Sequence, residues 1–376
     1  MTILLLDSIN KNTLAIARHL GQTKQYTIHV AYHTFFSITN YSKYISKKHK
    51  LCSPKDKTAF QSKLIQLLKT EKIDLVIPVG FSSYTACADI QNEIRKHADI
   101  IITSSGNIDI AASKAQTYQL AERIGVPCPK TVYLSKREEV KNLELQYPIV
   151  LKGPFEAGKN IVTYVYSKEE LVREFYAMIE KNNFSEPHLP LIQEFIKGDG
   201  YGFFAYYENG ICKRTFMHQR IREYPAKGGA SVCARSFSDP KLMEYGKKIL
   251  DQLKWNGVAM VEFKKDVKDG EYKLMEINPK FWGSLDLALC AGVNFPQYLI
   301  DQHNGKEVAY SDQFSNTRFQ WILNGELFHF FQRPSSLFKI IKDFRKAQND
   351  IWLRDFKPNI FQLFYILAFY FKKWKG

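Results

Sequence analysis

The chain reads as α/β over its first part and α+β beyond. Short apolar strands alternate with helical segments over residues 1–110. From about residue 111 the texture changes to a helix, then strands, then a hairpin around Val258–Asn278. A third stretch, 306–376, reads as a helical extension with an aromatic and basic end. A chain of 376 residues is long enough for two or three domains with a substantial core. The expected units are 1–110, 111–305 and 306–376.

The elements follow in order. ILLLDS is a strand, TLAIARHLG a helix, YTIHVAY a strand and AFQSKLIQLLKTEK an amphipathic helix. IDLVIPVG and DIIITSS are further strands, with the helix YTACADIQNEIRKHA between them. This βαβ rhythm predicts a small parallel sheet covered by helices on both faces. Ligands of such sheets sit at the strand C-termini, so the loops after Asp7 and Pro78 are candidates for substrate contact. Their polar residues Gly80, Ser82 and Ser83 read equally well as loop filler.

Residues 153–160, GPFEAGKN, nearly spell a P-loop, with Asn160 where a Ser or Thr would bind metal. A P-loop must follow a strand and open a helix, whose N-terminus meets the phosphates. YPIVLK is the required strand, but IVTYVYS after the loop is rich in β-branched and aromatic residues. A strand–loop–strand hairpin is therefore expected. Further on, residues 218–236 (HQRIREYPAKGGASVCARS) gather Arg220, Arg222 and Lys227 beside Gly228, Gly229 and Ser231. They read as a basic loop suited to a substrate carboxylate, or as a surface loop with solvated arginines.

The runs GVAMVEF and YKLMEIN flank a polar turn and predict a β-hairpin. Glu276 and Asn278, two residues apart, share one face of their strand, and Glu262 can lie beside them. Three oxygen donors of this kind suit Mg2+. The alternative is an edge hairpin with solvated acids. These acids end apolar strands, however, where an unpaired charge is expensive. Phe281, Trp282 and Gly283 follow, as pocket wall or as core.

Composition narrows the function classes. The formal net charge is +15. Between Arg333 and Gly376 stand ten Lys/Arg against three Asp/Glu, so about half the excess sits in the tail and no basic groove for nucleic acid is expected. No apolar run reaches the roughly 18 residues of a membrane span. Met1 leads into TILLLD with no basic leader or cleavage site, so a cytoplasmic protein is expected. The six cysteines are scattered, without metal spacing, and read as reduced thiols. No Ser-His-Asp or Cys-His arrangement stands out.

Several blocks also resemble one known family. MEINPKFWGS resembles the metal-binding strand of the ATP-grasp superfamily, which usually carries Arg where Lys280 stands. ASKAQTYQLAERIGVPCPKT, YPIVLKGPFEAGKN and LIQEFIKGDG resemble its first lysine helix, its second lysine strand with phosphate loop, and its adenine hinge. DLVIPVGFSS resembles the preceding domain. The resemblance implies a Rossmann-like pre-ATP-grasp domain (1–110), a two-lobed ATP-grasp domain (small lobe about 111–195, large lobe about 196–305) and a helical C-terminal extension. It implies ATP, with Lys114 and Lys152 on the phosphates and Gly153 and Gly158 in the phosphate loop. Gln193, Glu194, Phe195 and Ile196 would hold adenine, and Asp199 the ribose. Glu262, Glu276 and Asn278 would hold Mg2+ (or Mn2+). Lys280, Arg220 and Arg222 would act at the acyl phosphate and the substrate carboxylate. The chemistry implied is ADP-forming ligation of a small-molecule carboxylate to an amine, on amino acids or cell-envelope precursors. The alternatives are activation of bicarbonate, as in carbamoyl phosphate synthetases and carboxylases, and a non-catalytic nucleotide-binding protein.

In the tail, Ile360 to Phe371 are twelve residues of which only Gln362 is strongly polar. As a helix they span about 18 Å, too short for a hydrocarbon core of about 30 Å. With no polar face, the segment is expected to pack in the core or a homodimer contact. The basic, Trp-containing chain end that follows suits instead peripheral contact with the inner face of a membrane.

Overall fold

A computed structural model describes residues 1–155, 161–226 and 228–374. The N-terminal part follows the expected rhythm: β1 (Thr2–Leu5), α1 (Lys11–Gln22), β2 (Thr27–Tyr32), β3 (Lys47–Lys50), α2 (Lys57–Thr70), β4 (Leu75–Ile77), α3 (Phe81–Asp89), α4 (Gln91–Ile94) and β5 (Asp99–Ile100). All strands are parallel, in the order β3-β2-β1-β4-β5. Leu4, Leu6 and Val76 face α2 and α3, while Ile3, Leu5 and Ile77 face α1 and the rest of the molecule. The single helix expected before β5 is two, broken at Ile90. Strand β3, Lys-Lys-His-Lys, has no apolar pattern to betray it; it is an edge strand, where lysines block further pairing.

Next come α5 (Ser105–Ala112), α6 (Lys114–Arg123), β6 (Thr131–Val132), β7 (Ile149–Lys152), β8 (Val162–Val165), α7 (Lys168–Asn182) and β9 (Leu191–Glu194). The four strands form an antiparallel sheet, β6-β9-β7-β8, under Leu171, Phe175, Met178 and Ile179 of α7. β7 and β8 pair antiparallel, and among the described residues no helix lies between them. The near P-loop is thus flanked by two paired strands, as the composition of IVTYVYS requires, while residues 156–160 lie outside the described residues.

The largest sheet has seven strands, β14-β13-β10-β11-β12-β15-β16. It is built from β10 (Gly200–Glu208), β11 (Ile211–Tyr224), β12 (Ala230–Ser236), α8 (Pro240–Gln252), β13 (Gly257–Lys265), β14 (Tyr272–Asn278), α9 (Leu285–Cys290), α10 (Phe295–His303) and β15 (Arg318–Gln320). α11 (Leu327–Gln332), α12 (Leu337–Phe344), β16 (Gln348–Asn349) and α13 (Phe356–Trp374) complete the chain. Both faces of the sheet are buried. Phe203, Ala205 and Tyr207 pack under α8, while Phe204 and Tyr206 join a core shared with β1, α1, α9 and Trp321. The extension is mainly helical, yet it lends β15 and β16 to this sheet.

Two expectations are corrected. Residues 218–236 are mostly strand: β11 runs to Tyr224 and β12 starts at Ala230. Their long charged side chains find partners beside the sheet, so polarity does not mark a loop here. The tail helix does have a polar face, and it faces inward. Asn359, Gln362 and Ile366 are buried, whereas Ile360, Leu363 and Phe364 are exposed. Among the described residues, no helix is long and apolar enough to cross a membrane.

Candidate active site

Strands and helices from the two later sheets enclose a cavity of about 370 Å³. Lys114 opens α6 behind the N-cap Ser113, and it is 6% exposed. Its backbone N–H donates to the Pro154 carbonyl at 3.0 Å, clipping the helix start to the β7–β8 loop. Lys152 ends β7 and donates to the Tyr118 hydroxyl at 3.0 Å. Tyr118 in turn donates to the Met275 carbonyl of β14 at 2.7 Å. One aromatic side chain thus ties β7 to β14. Burial, with Lys114 adding repulsion, lowers the Lys152 pKa to about 8 although Glu276 and Glu262 pull the other way.

The carboxylates come from the hairpin. Glu262 and Glu276 are direct cross-strand partners, and Asn278 donates to Glu276 at 2.7 Å. Desolvation raises the Glu262 pKa, with repulsion from Glu276 adding to it and Arg220 opposing it. Glu276 is desolvated too, but Lys114, the Asn278 amide, Arg220 and Lys280 hold its pKa below the ordinary value. Two half-buried carboxylates side by side, one of them with a raised pKa, form an oxygen donor set that fits a hard divalent cation. The lining cations Lys114, Lys152, Arg220, Lys264 and Lys280 face Glu194, Glu223, Glu262 and Glu276. A triphosphate carries more charge than that small surplus offsets, which is a second reason a cation fits.

Arg220 sits at the centre of β11. It pairs with Glu262, and with Glu223 at 3.3 Å, and it donates to the Gly229 carbonyl at 3.3 Å. Burial works against its charge, but Glu262, Glu223 and Glu276 raise its pKa overall. Gly200 makes the room: a Cβ there would lie 2.7 Å from Arg220 Cδ. Arg222 goes elsewhere. Its guanidinium bonds Glu326 at 2.6, 3.0 and 3.1 Å and Asp343 at 2.6 Å, so it joins β11 to the C-terminal extension. A bulge separates the two arginines: Arg220 opposes Ala234 and Arg222 opposes Cys233, neighbours that face opposite ways.

The hinge residues Gln193, Glu194, Phe195 and Ile196 all line the cavity. Gln193 donates to Thr131 at 2.9 Å, and the Glu194 N–H donates to the Lys130 carbonyl at 2.9 Å. That leaves Phe195 and Ile196, past the strand end, to present backbone groups. Asp199 is exposed, accepts from Gln219 at 3.2 Å, and lines a second cavity of about 630 Å³ on the extension side. Gly153 is buried and extends the β7–β8 pairing by donating to the Ile161 carbonyl at 2.9 Å. Gly158 and Lys227 lie outside the described residues. Lys280 lines the cavity on the loop after β14. Phe281 is core, while Trp282 serves both core and wall.

At the other sheet, the loop after β4 is closed to ligands. Asp7 accepts from the Val79 and Gly80 amides at 3.1 and 2.7 Å and from the Ser83 hydroxyl. A carboxylate of the chain itself fills the amide cradle at the start of α3.

Sequence reading missed Tyr118, Lys264 and Glu223. Signals existed for each. Tyr118 is one helical turn from Lys114, Lys264 two strand residues from Glu262, and Glu223 three residues from Arg220. Lys264 also stands over the Phe195 ring, 6.0 Å from its centroid, and burial lowers its pKa.

Comparison with known proteins agrees with this geometry. Residues 216–324 match the family model described as ATP-grasp in the biosynthetic pathway with Ter operon. The chain is 26% identical to a D-alanine–D-alanine ligase of Carboxydothermus hydrogenoformans, over 57% of this chain and 74% of that one. It is also 26% identical to the carbamoyl phosphate synthase large chain of Clostridium acetobutylicum, over 67% of this chain but only 24% of that one. Among solved structures, a biotin carboxylase complex from Campylobacter jejuni superposes with a TM-score of 0.70 at 14% identity, covering 84% of this chain and 74% of that one. Taken together they support an ATP-grasp carboxylate–amine ligase.

Proposed function

We propose that this ATP-grasp chain is an ADP-forming ligase that joins a small-molecule carboxylate to an amine at the cavity between its two later sheets. The observation that carries the reading is convergence. Lys114 and Lys152 come from one sheet region, Glu262, Glu276 and Asn278 from another, and all line one cavity with the hinge.

A carboxylate oxygen attacks the γ-phosphorus of ATP and the bond to the β-phosphate oxygen breaks, giving an acyl phosphate and ADP. The amine nitrogen then attacks the acyl carbon, phosphate leaves, and the amine proton passes to solvent. Lys114 and Lys152 neutralise and orient the phosphates. Phe195 and Ile196 present backbone groups to adenine between apolar walls that include Val150 and Met275. Arg220, moored to Glu262 and Glu223, and Lys280 provide fixed positive charge where the acyl phosphate forms. Mg2+ or Mn2+ held by Glu262, Glu276 and Asn278 would neutralise the transferring phosphoryl group. The protein's contribution is positioning and charge, so no separate catalytic base is required. The division at about residues 110 and 305 belongs to the same proposal.

Calorimetric titration with Mg-ATP tests it. Wild type should bind, Glu276→Ala should not, and ADP release should rise with one carboxylate and one amine from a panel of amino acids and other carboxylates. Absence of Mg-ATP binding by wild type removes the reading. The likeness to a carbamoyl phosphate synthase supports a second reading, activation of bicarbonate. Bicarbonate-stimulated ATP hydrolysis with no amine requirement would select it.

A further inference from the structure

The C-terminal extension is built inside out with respect to an ordinary amphipathic packing. Its carboxylates, between Arg333 and Ile366, are Asp343, Asp350 and Asp355, and all three are buried. Asp343 holds Arg222 and Arg318. Asp350 accepts from the Leu323 and Asn324 amides, each at 3.2 Å. Asp355 holds Arg18 at 2.9 Å and accepts from Ser42 and the Lys43 amide. Asn359 and Gln362 also point inward, bonded to each other at 2.9 Å.

The outer side is the complement. On α12, Phe338 is 84% exposed, and Ile341 and Phe344 continue the same stripe at helical spacing. Just before and along α13, Leu353 (84% exposed), Phe356 and Phe364 form another. Phe36, itself exposed, packs its ring on Tyr365. Between these apolar groups stand exposed Lys339, Lys342, Arg345, Lys346, Arg354 and Lys357, and no exposed Asp or Glu among the described residues from Arg333 onward. Exposed apolar stripes of this kind mark an interaction surface.

We propose that this face is a docking surface for an anionic lipid bilayer. The charge pattern selects that occupant. A second copy of the chain meeting these segments with its own would bring the same cations against these, with no exposed Asp or Glu among the described residues there to meet them. A bilayer with acidic headgroups supplies negative charge around an apolar interior, and helices presenting large apolar side chains flanked by lysines lie in that interface. Lys339 also lines the second cavity, which reaches the hinge at Phe195 and Ile196, so the docked face and that cavity share an edge. The inference stands apart from the ligase reading.

The test uses the full chain with phosphatidylcholine vesicles, with and without phosphatidylglycerol. Wild type should co-sediment only with the anionic vesicles, and less as salt rises. The double variant Phe338→Glu, Leu353→Glu should lose about tenfold or more in vesicle affinity, each substitution removing a large apolar group from the interface. Lys339→Glu with Lys342→Glu should abolish the preference for anionic lipid. Both pairs of positions are exposed, and an unchanged unfolding midpoint shows that the fold is kept. Equal binding to both vesicle types, or none, overturns the proposal. So does a dimer in sedimentation equilibrium that the Phe338 and Leu353 substitutions dissociate while vesicles are ignored.

Discussion

Arg220 and Arg222 stand two residues apart on one strand, and they do opposite jobs. Every direction of the Arg222 guanidinium meets a carboxylate of the extension, and Arg318 and Gln320 complete the network around Asp343 and Glu326. Arg220 shares Glu262 with an open cavity, and its Nε, buried, has no hydrogen-bond partner among the described residues. A buried ion cluster that is complete is a fastening. One that is short of charge, beside a cavity, is waiting for a ligand. The same contrast separates Asp7, whose amide cradle is full, from the Glu262–Glu276 pair, in which the Glu262 pKa stays raised by desolvation despite Arg220.

The contrast breaks most visibly at Arg222. Arg222→Met leaves Glu326 and Asp343 buried with too little counter-charge and should cost about 3–5 kcal/mol in urea unfolding. The Mg-ATP affinity of the folded fraction should stay within about twofold, because the side chain does not line the site cavity. An unchanged unfolding midpoint would show that the cluster fastens nothing.

Arg220→Met should give the reverse profile. Turnover should fall roughly 100-fold, on the order of 3 kcal/mol, while stability changes by less than about 1 kcal/mol. The stability effect is small because Glu262, its pKa already raised, takes up a proton when Arg220 is removed. A large loss of stability with normal turnover would place Arg220 in the fastening class instead.

Lys152→Met sharpens the point from the other side. Burial disfavours the Lys152 ammonium, so its removal should leave the ligand-free protein as stable or up to about 1 kcal/mol more stable, while Mg-ATP affinity drops about tenfold or more. Calorimetry and thermal unfolding on one preparation read both.

The smallest effect is a fraction of a proton. With its pKa lowered to about 8, Lys152 is partly neutral above that pH in the ligand-free protein. Bound phosphates favour the ammonium, so nucleotide binding near pH 8 should take up protons, and affinity should weaken as pH rises further. The sign for stability is consistent: the burial penalty is full below pH 8 and shrinks as pH climbs toward the ordinary lysine value. Titration in buffers of different ionisation enthalpy measures the uptake. Metal binding near neutrality should release protons from Glu262 for the opposite reason. Zero exchange in both titrations would mean that neither group meets its ligand.

Much of the site was legible in the sequence because its parts are local. Glu276 and Asn278 share a face by strand alternation, and Glu262 opposes Glu276 because a hairpin turn sets the register. The strand after GPFEAGKN excluded a P-loop by its own β-branched and aromatic residues. Lys114, Lys152 and the hinge each lie in a short block of characteristic wording, and all reach one cavity. Strand β3 escaped because an edge strand of lysines has no pattern to read, and 218–236 was mistaken for loop because its charges were matched only at a distance.

By itself, then, the sequence determined the order of strands and helices, the hairpin and its carboxylates, and the strand rather than helix that follows GPFEAGKN. Only the tertiary structure decided which arginine serves the cavity, that Asp7 fills its own anion cradle, and that the tail helix turns its polar side inward. The physical reason is range. Alternation along a strand is settled within a few residues, whereas Arg222 finds Glu326 104 residues away and Arg18 finds Asp355 337 residues away. A charge declares its partner only when the chain has brought the partner to it.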